Sequence, residues 1–149
     1  MKGKSVNILL AEDDPDDRLL LQEALLEGCL ANELACVEDG EELLDYLRRR
    51  GKYDGGTPRP GLILLDLNMP KLDGREALRE IKADPALRRI PVVVLTTSKA
   101  EEDVARSYDL GANSFITKPV TFQSMVDLMR VLGRYWLEIV ELPAAAAEA

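Results

Sequence analysis

The side chains in this sequence that could do chemistry each stand just after a short apolar run. Glu12 and Asp13 follow Val6 to Ala11 (VNILLA), and Asp66 follows Gly61 to Leu65 (GLILL). Thr96 follows Pro91 to Leu95 (PVVVL), and Lys118 follows Asn113 to Thr117 (NSFIT). Carboxylates, a hydroxyl and an ammonium are the parts of a phosphoryl-transfer site. A carboxylate beside a hard divalent cation is a nucleophile toward phosphorus. Mg²⁺ takes one or two carboxylates together with waters and phosphate oxygens, and a cation, a hydroxyl and an ammonium can bind the three oxygens of the transferring group. Without a cation such a cluster is costly, since two unit charges about 4 Å apart repel by roughly 4 kcal/mol at an effective dielectric of 20. The chain contains no histidine. That excludes Ser-His and Cys-His nucleophile pairs, imidazole metal sites and a phosphohistidine donor role.

The elements that must position these groups alternate between strand and helix. Asp14-Pro15-Asp16-Asp17 opens a helical pattern with Leu19, Leu20, Ala24 and Leu25 at helical spacing, an Asp cap, a first-turn Pro and acids that complement the helix dipole. Gly28 falls near its end. Leu34 to Val37 reads as a second strand, and Asp39 caps a helix carrying Leu43, Leu44 and Leu47. Arg48 to Pro60 (RRRGKYDGGTPRP) is a loop by composition, with a turn signal at Asp54-Gly55-Gly56. Gly61 to Leu65 is apolar throughout, as a central parallel strand buried on both faces should be. Asp73 caps a third helix to about Ala83, with Gly74 entering it; Glu101 to Asp109 forms a fourth, and Thr121 begins a long last one. Repeated strand-helix units predict an α/β domain with a parallel sheet and right-handed crossovers. In such sheets functional groups gather beyond the carboxyl ends of the strands, which is where the candidate residues fall.

Taken together, Ile8 to Asp13 (ILLAED), Leu64 to Gly74 (LLDLNMPKLDG), Thr96-Thr97 and Lys118-Pro119 resemble the signature of response-regulator receiver domains, over roughly residues 5 to 130. The resemblance implies a flavodoxin-like, doubly wound five-stranded parallel sheet of order 2-1-3-4-5 with helices on both faces. It implies a phospho-accepting regulator of a two-component system, in which a histidine kinase supplies a phosphoryl group to Asp66. Such a protein assists its own phosphorylation and dephosphorylation without being an enzyme in its own right. Asp13, Asp66 and the backbone carbonyl of Asn68 would hold Mg²⁺ directly, with Mn²⁺ as a substitute, and Glu12 would act mainly through a water. Thr96, with Thr97 beside it, would serve the phosphoryl oxygen, and Lys118 would pair with the aspartyl phosphate. The family places a cis peptide at Lys118-Pro119 and a switch aromatic at Phe115, which turns inward when the threonine moves. More narrowly, the EDDPDD start, the Arg48–Pro60 loop and the ending Tyr135-Trp136-Leu137-Glu138 resemble small regulators that serve bacterial phytochrome kinases. A phytochrome-type kinase is therefore the expected partner.

The sequence is the size of one domain, so a single receiver spanning 1–149 is expected, with its core at about 5–130 and an extended last helix and tail at about 121–149. A net charge of −8 argues against a surface built for nucleic acid. No apolar run approaches the roughly 20 residues of a membrane helix, and the short basic start lacks the features of a signal peptide. The expected location is the cytoplasm, with Cys29 and Cys36 reduced and buried. No helix-turn-helix or other output domain follows, so the signal is expected to leave through the surface presented to a downstream protein. One alternative is a haloacid-dehalogenase-like phosphatase. Against it, Asn68 stands where the general acid belongs, the acid pair precedes the nucleophile, and no acid pair follows Lys118. Another is a degenerate receiver acting as a phosphorylation-independent interaction module, which the intact constellation disfavours. Asp14, Asp16 and Asp17 read as a cap and first-turn acids; their spacing does not make a calcium loop.

The final helix raises a separate expectation. Phe122, Met125, Val126 and Met129 supply the one stripe needed to cover the sheet. Its continuation is apolar on too many sides for a single buried face. A homodimer interface is expected there, formed by Tyr135, Trp136, Leu137 and Val140. The alternative is that this tail folds back over its own domain. The Ala-rich end after Pro143 is expected to fray.

Overall fold

Apolar runs of four or five residues form the strands: β1 (Ile8–Ala11), β2 (Leu34–Val37), β3 (Leu62–Leu65), β4 (Val92–Thr96) and β5 (Ser114–Thr117). They pair in parallel in the order β2-β1-β3-β4-β5, with Ala11 in register with both Val37 and Leu65, and Thr96 with Thr117. The chain is seen here as a computed structural model that describes residues 6–28, 33–97 and 101–143. Cys29 and the Ala-rich end lie outside the described residues. Five α-helices connect or follow the strands: α1 (Pro15–Gly28), α2 (Gly40–Arg48), α3 (Gly74–Ala83), α4 (Glu101–Asp109) and α5 (Phe122–Gly133). This is the expected flavodoxin-like topology.

Alternation along the strands divides the core, because successive side chains point to opposite faces. Leu9, Ala11, Ile63, Leu65, Val92 and Val94 face α2 and α3, where they meet Leu43, Leu47, Leu78 and Ile81. Ile8, Leu10, Leu62, Leu64, Val93 and Leu95 face α1 and α5, where they meet Leu21, Leu25, Met125 and Met129. Burying one such side chain contributes about 1.5–3 kcal/mol, so both faces are anchored by residues that the run pattern makes obligatory. Helices α1, α2, α3 and α5 each start on a capping side chain. Asp14 Oδ1 accepts the N–H groups of Asp16 and Asp17 at 2.9 and 3.3 Å. Asp39 accepts from Glu42, Asp73 from Arg75 and Thr121 from Ser124 at 2.7, 2.8 and 3.1 Å.

The Arg48–Pro60 segment is packed rather than loose. Gly51–Tyr53 makes one 3₁₀ turn, just before the expected turn at Asp54–Gly56. The Tyr53 ring meets Tyr46 edge-on with centroids 5.0 Å apart, and its hydroxyl donates to Glu42 at 2.5 Å. Arg59 donates to the Leu47 carbonyl at 2.7 Å, which closes the segment onto the end of α2.

The tail departs from the interface expectation. After α5 the chain widens into a π-helical turn, Arg134–Ile139, with the Val140 N–H reaching Tyr135 O at 2.8 Å. Trp136 follows Met129 by seven residues and Leu132 by four, so it continues the buried stripe of α5. Trp136 is rotated inward and is only 8% exposed in the α1/α5 core, while Val140 and Leu142 pack partly against the same layer. Trp136 and Val140, expected between copies, thus cover their own domain, because they continue the buried stripe of α5 at helical spacing from Met129 rather than opening a second apolar face. Tyr135 is the expected interface residue that faces outward, at 51% exposure. The side chain of Leu137 is outside the described set. Among the described residues no helix is long and apolar enough to cross a membrane.

Candidate functional site

The carboxyl ends of β1 and β3 lie side by side, and the residues that follow them meet. One carboxylate oxygen from each of Glu12, Asp13 and Asp66 falls within 4.8 Å of the others. Glu12 and Asp66 are buried and Asp13 is half-buried. Both oxygens of Asp66 are engaged. Oδ1 accepts the Thr96 hydroxyl at 2.9 Å and the Asn68 backbone N–H at 3.0 Å, and Oδ2 accepts Lys118 Nζ at 2.9 Å. The Asn68 amide reaches Thr96 Oγ1 at 3.5 Å. The sheet register explains the convergence, since Thr96 and Lys118 end β4 and follow β5 on the same rim, and the Lys118 N–H is held by Thr96 O at 2.8 Å.

Lys118 supplies the counter-charge. Its ammonium is 6% exposed and donates to Glu12 Oε1 at 2.5 Å and to Asp17 Oδ2 and Asp66 Oδ2, each at 2.9 Å. Burial alone would lower its pKa, but the hydrogen bonds it donates to Glu12, Asp17 and Asp66 outweigh that and hold it above the ordinary lysine range. Burial pushes the Glu12 carboxyl up to about 7; the hydrogen bond from Lys118 opposes this and the nearby Asp66 charge adds to it. One ammonium therefore faces more negative charge than it can neutralise. The donor set is all hard oxygen, which fits a small divalent cation: Glu12, Asp13 and Asp66 would hold it.

Thr97 is exposed and makes no bond to the described residues of the cluster. Phe115 is half-buried against the α2/α3 core layer, two residues before the end of β5. The peptide between Lys118 and Pro119 is trans, as is every peptide bond among the described residues. The cis bond expected from family resemblance is not formed, and the trans form is the intrinsically preferred one by about 0.5–1 kcal/mol for a bond to proline.

Two residues escaped the sequence reading. Asp17 was read as a first-turn acid, yet it is an ion-pair partner of Lys118. Tyr108 on α4 donates no sequence signal, yet its hydroxyl accepts the Phe115 N–H at 3.2 Å and ties α4 to the edge strand.

The loop carrying Asn68 is shaped by Gly74. Its N–H bonds Leu67 O at 2.9 Å, and a Cβ built there would lie 2.4 Å from Asp66 O and 2.7 Å from Leu67 Cα. Those are backbone atoms that cannot step aside without moving Asp66. Gly74→Ala is expected to cost about 1–3 kcal/mol, the range for overpacking, and to weaken cation binding. Thermal melts with and without Mg²⁺ check it; an unchanged melting temperature and an unchanged Mg²⁺ response would show that the loop yields elsewhere.

Comparison with known proteins now bears on the site. Residues 8–130 match the family model of the response regulator receiver domain. The chain is 48% identical over 138 residues to the response regulator Rcp1 of Synechocystis sp., covering 93% of each chain. The crystal structure of the phosphorylated cyanobacterial phytochrome response regulator RcpA is similar at 46% identity and a TM-score of 0.89, over 95% of this chain and 100% of that one. The Mn²⁺-bound form of Rcp1 is similar at 47% identity and a TM-score of 0.86, over 93% and 99%.

Proposed function

The chain belongs to the response-regulator receiver family, and on that premise we propose that it is a phosphorylatable switch in which Asp66 accepts a phosphoryl group from a phytochrome-type histidine kinase. The observation that carries this is the environment of Asp66, a buried carboxylate held from one side by Thr96 and Asn68 and from the other by Lys118. A carboxylate oxygen of Asp66 attacks phosphorus, a new O–P bond forms, and the donor's bond to phosphorus breaks with its electron pair leaving on the donor. Lys118 and the Thr96 hydroxyl are the donors available to the phosphoryl oxygens, and burial excludes competing water from the nucleophile. A cation bound by Glu12, Asp13 and Asp66 supplies charge neutralisation between the anionic nucleophile and the anionic phosphoryl group. The Asn68 carbonyl is carried over from the family as a further ligand. The phytochrome assignment is supported by the likeness to RcpA and Rcp1. The direct test is incubation with Mg²⁺ and acetyl phosphate, followed by mass spectrometry to locate the adduct. Absence of any adduct would overturn the proposal in favour of a phosphorylation-independent module.

The Glu12 pKa fixes a pH dependence. The folded, metal-free protein holds this proton up to about 7, whereas an ordinary carboxyl releases it near 4.5. A raised acid binds more protons folded than unfolded, so its contribution to metal-free stability is present at low pH and lost as pH rises through about 7. Cation binding runs the other way, because it needs the carboxylate. Mg²⁺ affinity is therefore expected to fall several-fold from pH 8 to pH 6, measured by calorimetry. A flat profile would remove Glu12 from the cation's surroundings.

The proposal extends to assembly. Val131 and Tyr135, one turn apart, are 64% and 51% exposed on α5 and its continuation, and they support a homodimer through this face. Sedimentation of wild type and Tyr135→Ala at micromolar concentration is expected to show a dimer weakened in the variant; a monomeric wild type in both phosphorylation states would exclude it.

A further inference from the structure

The place of Asp17 in the first turn of α1 suits the helix dipole but does not account for where its carboxylate goes. The capping bonds at the start of α1 are made by Asp14, whose Oδ1 takes the N–H groups of both Asp16 and Asp17. The neighbouring Arg18 is turned away to the Glu12 and Asp13 carbonyls, at 2.9 and 3.4 Å. The Asp17 carboxylate instead reaches Lys118 at 2.9 Å, and no other cation pairs with it among the described residues. Lys118 has three N–H donors and three carboxylate acceptors, so its ammonium is saturated.

The three acceptors are not equivalent. Glu12 and Asp66 belong to the carboxylate group that could hold a cation, and Asp17 does not. When Asp66 takes up a phosphoryl group, one of its oxygens becomes the bridging oxygen of an acyl phosphate and the carboxylate loses its charge. The Lys118 bond to Asp66 is then exchanged for one to a phosphoryl oxygen. A bound cation would draw on Glu12 as well. Asp17 alone keeps its full charge for the ammonium throughout, and at 37% side-chain exposure it sits on the solvent side of a lysine that is 6% exposed.

We propose that Asp17 is a positioning residue for Lys118, which competes with the incoming phosphoryl oxygen for the ammonium and so slows phosphorylation of Asp66. The inference rests on the phospho-acceptor reading of Asp66 and adds a restraint built into α1. Asp17→Asn keeps the size and an acceptor oxygen but drops the charge. At saturating Mg²⁺ it takes up phosphoryl from acetyl phosphate about two- to fivefold faster than wild type, the size of a part-exposed ion pair expressed as a rate. Asp16→Asn, the same charge change one residue away, stays at the wild-type rate, and Asp17→Glu returns to it.

Action through Lys118 is read from a double-mutant cycle. Asp17→Asn has no effect on the rate in a Lys118→Ala background. A second measurement needs no phosphorylation. Freed from Asp17, Lys118 leans on Glu12 and Asp66 and competes with the cation, so Asp17→Asn weakens Mg²⁺ binding severalfold in calorimetry, and this too vanishes without Lys118. Equal rates and equal Mg²⁺ affinities in Asp17→Asn and Asp16→Asn overturn the proposal, as does an effect that persists in Lys118→Ala. If wild type takes up no phosphoryl group, the reading of Asp66 falls instead, and the calorimetric cycle still decides whether Asp17 positions Lys118.

Discussion

Asp66→Asn is expected to take up no phosphoryl group from acetyl phosphate or from a kinase, with its melting temperature within a few degrees of wild type. The loss is complete because an amide oxygen is no nucleophile toward phosphorus under these conditions, and the neighbouring Glu12 is engaged by Lys118. The fold survives for a reason visible in the bonds. An amide oxygen can still accept from Thr96 and the Asn68 N–H, which now meet Asp66 Oδ1 at 2.9 and 3.0 Å. The amide nitrogen facing Lys118 forfeits one ion pair, but a negative charge also leaves a group of three carboxylates within 4.8 Å of one another. The two changes oppose each other. Intact mass and peptide mapping after incubation provide the measurement. A stoichiometric adduct on the variant, or a wild-type adduct mapped to another carboxylate, would sink the assignment.

Trp136→Ala is expected to be the most destabilising single change in the tail. Trp136 is 8% exposed and packs with Leu132 and Met129 in the layer between the sheet and α1/α5. Removing a buried Trp side chain costs about 3–5 kcal/mol; near the rim of the core the lower end applies, about 3 kcal/mol. For a domain of this size that is roughly 6–12 °C in melting temperature. Tyr135→Ala, one residue away but 51% exposed, should shift it little. The contrast separates a residue that holds its own domain together from one free to meet a second copy. A Trp136→Ala protein that melts with wild type would mean that the tail does not pack on its own domain in solution.

The two cases mark where sequence reading succeeds and where it stops. Strand β2 and helix α4 fall on the residues that the apolar runs and caps delimit, because Leu34–Val37 and Glu101–Asp109 each obey a single local rule. The rim constellation was legible for the same reason: a polar residue directly after a buried parallel strand has few places to go. Asp17 was hidden because a helix's first turn already welcomes an acid, and a sufficient local explanation masks a tertiary one. Trp136 was misplaced because its many large apolar neighbours suggested a second face, whereas helical spacing from Met129 and Leu132 already puts it on the buried stripe of α5. The packing of Tyr53 on Tyr46 and Glu42 was illegible in a segment whose Gly and Pro content advertises only a turn. The trans bond before Pro119 shows the opposite error, in which a family habit was expected over the intrinsic preference.

Trp136 is also the chain's single tryptophan, and its place makes it a selective optical reporter. It lies in the layer lined by Ile8 and Leu62, which begin β1 and β3, whereas the carboxylates follow the far ends of those strands, roughly 10 Å away at the rise of a strand. Its emission should accordingly be blind to Mg²⁺ and to phosphoryl transfer at Asp66. It should instead shift to the red when the tail peels from α1 and α5. If tail release precedes global unfolding, the fluorescence transition comes at lower denaturant than loss of the far-ultraviolet helical signal, and the gap between the two curves measures how independently the tail is held.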